Sequence, residues 1–106
     1  MAWALVIIAG AFEIGFAIFL KWSDGFSKLW PSVLAVLFAI ISLALLNYAL
    51  KTLPIGSAYA VWTGIGAVGT AILGMVALGE PMLASRIGFI GLIVAGVIGL
   101  QLAGGH

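Results

Sequence analysis

Residues 2 to 20 read Ala-Trp-Ala-Leu-Val-Ile-Ile-Ala-Gly-Ala-Phe-Glu-Ile-Gly-Phe-Ala-Ile-Phe-Leu. A transmembrane helix needs about 20 predominantly apolar residues, and this run meets that length. Its only charged side chain, Glu13, lies two residues from the midpoint of the run, near the middle of a bilayer. A charge at that depth is costly, and intramembrane acids face a cavity or a partner and carry ions or protons. The alternative is a neutral Glu13 bridging two helices by a hydrogen bond. Either way, the first span is built around a group that the membrane alone would reject.

The rest of the composition agrees with a membrane setting. The chain has 106 residues, 65% of them hydrophobic, and only four basic and three acidic side chains. A soluble domain carries about a quarter charged residues. The length suits a single domain over residues 1–106. A net charge of +1 without a basic cluster excludes a nucleic-acid partner. No cysteine is present, so there are no disulfides or thiolate metal sites. The first run lacks a positively charged leader and is followed by further spans, so a retained helix is expected rather than a signal peptide.

Turn residues and charges divide the chain into four spans, at about 2–20, 32–50, 55–78 and 84–103. Lys21 to Pro31 closes the first, with Trp22 and Trp30 beside the charges and Trp3 at the far end of the span, all at interfacial anchor positions. The second span carries Ser42, Asn47 and Tyr48. A mid-helix Ser can bond its own backbone carbonyl, so Ser42 reads equally as local or functional. Pro54 opens the third span, which is rich in glycine. Gly64 and Gly66 mark a candidate kink or flexing point. In the fourth span Gly91, Ala95 and Gly99 recur every four residues, a stripe suited to close helix pairing. His106 reads as a solvated terminal residue.

Four helices make few walls, so a single mid-membrane acid is better housed between two subunits. Two Glu13 carboxylates in one low-dielectric cavity cannot both ionise cheaply, so protons and a cation would compete for the pair. Alternating access would turn that competition into exchange. Tyr59 and Trp62 are spaced to share a helix face. Trp62 lies about 12 Å beyond Pro54 at 1.5 Å per residue, deeper than the interfacial belt. There the pair can make cation–π contact and hydrogen bonds with a bound cation, or can simply pack. No nucleophile–base pair or phosphate loop is present, so no enzyme and no cofactor or metal is expected.

The stretch Pro54-Ile-Gly-Ser-Ala-Tyr-Ala-Val-Trp-Thr-Gly-Ile-Gly66, with Gly25 to Ser32 and Leu53 to Gly56, resembles the small multidrug resistance family of proton-coupled exporters over essentially the whole chain. Trp62 to Gly66, with Thr63, and Leu78 to Pro81 look more like its guanidinium-exporter subtype. The resemblance implies an all-α membrane protein of four transmembrane helices, working in the bacterial inner membrane as an antiparallel dimer, either of identical chains or with a paralogue. It implies that Glu13 binds protons and a small organic cation, with Ser42, Tyr59 and Trp62 around it and the fourth span at the dimer contact. Phe16, one turn after Glu13, should line the same cation site. Two positions depart from the subtype, which most often has Trp where Phe16 stands and commonly Lys where Gln101 stands.

The leading expectation is therefore a guanidinium-type cation/proton antiporter. A broader exporter of quaternary ammonium or polyaromatic cations is the alternative within the family. A structural membrane subunit without transport is the alternative outside it, though such a subunit has no use for a mid-membrane carboxylate. Lys21, Lys28 and Arg86 fall on one side of the membrane and Lys51 on the other. That modest bias by the positive-inside count, set against the family pattern of both orientations, predicts mixed insertion.

Overall fold

The computed structural model describes residues 1–104. His106, read above as a solvated end, lies outside the described residues. The four helices are α1 (Ala2–Trp22), α2 (Leu29–Ala49), α3 (Ile55–Ala77) and α4 (Ala84–Gly104). All four are long and apolar enough to cross a membrane. Large apolar side chains such as Ile40, Leu43, Val76 and Leu92 are more than half exposed on the outside of the bundle. That is the reverse of a soluble surface and the expected face towards lipid.

Two boundaries differ from the sequence reading by more than one residue. α1 continues through Lys21 and Trp22, since nothing in those residues opposes helix. α2 begins at Leu29 rather than Ser32. Pro31 therefore sits in the first turn, where its missing N–H leaves no helical bond unmade. The turn between them is tied by Ser23, which is fully buried. Its hydroxyl donates to the Leu20 carbonyl at 2.7 Å and accepts the Phe26 N–H at 3.1 Å. After α3, Gly79 adopts a left-handed φ of 75°, which folds the chain back so that the Glu80 N–H reaches the Gly74 carbonyl at 2.9 Å.

The helices form a slab of 43 × 35 × 18 Å rather than a closed ring. α1 is central and packs on both α2 and α3, while α4 packs on α3 alone and buries none of residues 84–103. The α1–α3 seam depends on missing side chains. A Cβ on Gly10 would lie 2.7 Å from Ile65 and one on Gly66 would lie 2.5 Å from Cγ of Glu13. One on Gly69 would collide with Ile14. Small residues allow such backbone approach where no hydrophobic effect drives helices together. α3 is a continuous helix through Gly64 and Gly66. These two glycines instead admit Val97 of α4 and Glu13 of α1.

This seam makes a direct prediction. Gly69→Val should force α1 and α3 apart and destabilise the folded protein by about 1–3 kcal/mol, the usual range for overpacking. Gly56→Ala, with nothing within 4 Å of the added methyl, should be neutral or stabilising. Thermal unfolding of the two variants in the same detergent compares them directly.

Candidate functional site

α1 and α3 are held close enough to leave a groove beside their seam, on the side away from α2. Its α1 wall is Glu13, Ala17 and Lys21, and its α3 wall includes Thr63, Gly66, Thr70 and Gly74. Both sets recur every three or four residues, so each forms one face of its helix. The groove has a volume of about 510 Å³ and runs from mid-membrane to the end that carries the first and third loops. Glu80 and Arg86 stand at that mouth. Glu13 is partly buried, with its stem against the bare Cα of Gly66. Among the described residues its carboxylate makes no ion pair and no side-chain hydrogen bond, so its oxygens are left to the groove.

Behind this groove lies a separate polar device. The Trp62 indole N–H donates to Oγ of Ser42 at 2.8 Å, and the Ser42 hydroxyl donates to the Ala9 carbonyl at 2.7 Å. One hydroxyl thus joins α3, α2 and α1. Ala9 lies four residues before Glu13, so its carbonyl is also the acceptor that the Glu13 amide uses in a regular helix. The Ser42 hydroxyl donates to α1 rather than to a carbonyl of its own helix, which removes the purely local reading. Trp62 is only 8% exposed, and the Tyr59 ring lies 5.2 Å from it at a tilt of 53°, as their spacing predicts.

Within one chain the expected pocket is divided. Ser42 and Trp62 come together with Tyr59 beside them, but none of the three lines the Glu13 groove. Consecutive residues of a helix point about 100° apart, so Thr63 faces the groove while its neighbour Trp62 reaches α2. Phe16 is partly buried and is also absent from the groove wall, which is made instead by Ala17 and Ile18. A Cβ on Gly91 or Gly99 would meet nothing within 4 Å beyond its own helix, and Ala95 between them is exposed, so the α4 stripe has no partner among the described residues of the single chain. Lys21, Thr63, Thr70, Glu80 and Arg86 are site residues that the sequence reading did not assign to the groove. The spacing of Thr63, Gly66, Thr70 and Gly74 was the signal that could have found the α3 wall.

Fold and groove together define a small multi-pass membrane protein whose Glu13 carboxylate, without an ion pair among the described residues, faces a groove open towards one end. Comparison with known proteins agrees. The family model described as Small Multidrug Resistance protein matches residues 1–93. A guanidinium exporter of Yersinia pseudotuberculosis is 58% identical over 103 residues, 97% of this chain and 99% of that relative. Relatives of the same name from Salmonella typhimurium and Citrobacter freundii are each 52% identical over 103 residues, 97% of this chain and 98% of theirs. The chain belongs to the small multidrug resistance family.

The Ser42 junction can be tested without transport. Ser42→Ala leaves the Trp62 N–H without a buried acceptor, at a cost of about 1–3 kcal/mol. The change should lower thermal stability in detergent. Combined with Trp62→Phe, the loss should be clearly less than additive, because both substitutions remove the same bond. Additive losses would mean that the two side chains act independently.

Proposed function

We propose that this protein is a proton-coupled antiporter that exports guanidinium and small substituted guanidinium cations such as guanylurea, biguanides or alkyl-guanidiniums from bacteria across the inner membrane. The observation that carries this reading is the Glu13 carboxylate, at mid-membrane, without an ion pair, and facing a groove that opens to one end. Such a group can hold either a proton or a cation, and exchange follows when the two are taken up from opposite sides. The names of the relatives, all guanidinium exporters, support the substrate class. Nothing in the proposed cycle calls for catalysis, a cofactor or a metal.

The working unit in this reading is an antiparallel dimer. α1 and α3 supply the groove walls, no residue of α2 lines the groove, and α4 presents Gly91, Ala95 and Gly99 to the outside. A second copy would close the open side and bring a second Glu13 to the same cavity. Tyr59, half exposed here, and Phe16 would then be available to line the cation site, with Trp62 held in place by Ser42. Gly64 and Gly66 would be the positions at which α3 flexes as access alternates.

Transport in liposomes under an imposed proton gradient tests the reading. Guanidinium and a biguanide should be exchanged for protons, and a tetraphenyl cation should be poorer. Glu13→Gln should abolish coupled exchange and cation-induced proton release while leaving the oligomer intact. Normal exchange by that variant would sink the mechanism. Phe16→Trp adds an N–H donor and a larger ring, so preference should move towards bare guanidinium. An unchanged ranking would assign selectivity to other residues. Orientation is tested separately by cysteine labelling at Ser27, which should react from both faces of the membrane. Labelling from one face only would replace the identical partner by an oppositely inserted paralogue.

A further inference from the structure

The mouth of the groove repeats the arrangement at its centre. Glu13 lies against the bare Cα of Gly66, and the Glu80 carboxylate lies against the bare Cα of Gly74. Gly66, Thr70 and Gly74 are spaced by four on one face of α3, so the two seats are about 12 Å apart along the helix, with Thr70 between them. Three local features bring Glu80 there. Gly79 makes the left-handed turn, the Glu80 N–H bonds the Gly74 carbonyl, and Gly74 itself has no Cβ to obstruct the carboxylate.

Helix stability does not explain this placement. Glu80 folds back over the C-terminal end of α3, where the macrodipole is negative, and Arg86 stands in the first turns of α4, where it is positive. Each charge is at the less favourable end of its helix. They compensate each other through one contact, Arg86 Nη2 to Glu80 Oε1 at 3.1 Å, while Nη1 donates to the Pro81 carbonyl at 3.4 Å. Oε2 of Glu80 accepts no hydrogen bond among the described residues. Both side chains are about a third or more exposed, so the pair can open at little cost.

We propose that Glu80 is a second guanidinium-binding carboxylate, occupied at rest by the guanidinium group of Arg86, at which the substrate docks on its way between the groove mouth and Glu13. This rests on the function proposed above. The substrate carries the same planar fork of N–H donors as Arg86, so it can replace that side chain on Glu80 without a change in the bonding pattern.

The test is guanidinium/proton exchange in liposomes, read as KM and kcat. Glu80→Gln should raise KM about 2–5-fold, the scale of an exposed ion pair, with a much smaller effect on kcat. Arg86→Gln removes the resident competitor and should lower KM. Gly74→Ala keeps the charge but displaces the carboxylate, and should resemble Glu80→Gln. The double variant Glu80→Gln/Arg86→Gln should match Glu80→Gln alone, because Arg86 acts only through Glu80. A double variant that returns to the wild-type KM would overturn the proposal, since the pair would then act only through its field. Equal or same-direction shifts in the two single variants would overturn it too, as expected of a purely structural latch. If Glu80→Gln is not recovered as a monodisperse protein, Gly74→Ala and Arg86→Gln still decide by the opposite signs of their KM shifts. A wild-type protein that exchanges no guanidinium at all would instead refute the function itself.

Discussion

Close approach of α1 and α3 is the constraint on which the rest of this structure depends. The two helices meet where Gly10 faces Ile65, Glu13 faces Gly66 and Ile14 faces Gly69. In lipid, apolar side chains gain nothing by leaving a solvent as apolar as themselves, so helix pairing relies on packing and on polar contacts. Removing Cβ atoms at the seam provides the packing. It also determines where the acid sits, because its stem occupies the volume that a side chain at residue 66 would fill. The carboxylate therefore stays beside a groove rather than inside a sealed interface. A larger residue at Gly66 would not merely crowd the helices, since it would meet the Glu13 side chain directly.

Polar atoms inside the bundle obey a stricter rule than the apolar ones. Within the hydrocarbon region a buried donor without an acceptor has no water to turn to, and the Trp62 N–H finds its acceptor in the protein. Ser42 accepts from Trp62 and donates to Ala9, and so uses its hydroxyl in both senses. The Ala9 carbonyl lies one turn from Glu13. The orientation of α1 at the acid is thus tied to the position of an indole on α3. Any movement of Trp62 during a transport cycle would be felt one turn away from the carboxylate, through hydrogen bonds rather than through soft packing.

The four spans were legible because hydropathy and breaker residues report directly on helix length in a membrane, and the bounds agree to within three residues. The largest difference, at Leu29, arises because proline is compatible with a first helical turn and was read as a stop. Glu13 stood out for the same reason, as one charge in an apolar run. Partnerships were not. Whether Ser42 bonds its own helix or another depends on the rotation of α2 against α1, which no spacing within α2 encodes. Tyr59 and Trp62 do share a face, but that the face turns to Ser42 rather than to Glu13 is a property of how α3 is rotated. No spacing placed Glu80 at the groove, since only the left-handed turn at Gly79 brings the acid back over Gly74.

The thinness of the molecule gives a physical reason for the site to be unfinished. A slab 18 Å across is about two helices deep, and it cannot surround a carboxylate on all sides. α4 does not help, because it reaches only α3 and leaves its small-residue stripe without a neighbour. An acid facing an incomplete groove at mid-membrane would meet lipid on its open side, which is the most expensive arrangement available to it. A second copy laid against the same side would remove that cost, and it would bring a second carboxylate close enough for the two to share one proton or one cation. The open groove and the unpartnered α4 therefore have a common explanation. The chain is too small to isolate its own acid, and in the proposed dimer pairing would supply both the missing wall and the second charge for which protons and cation would compete.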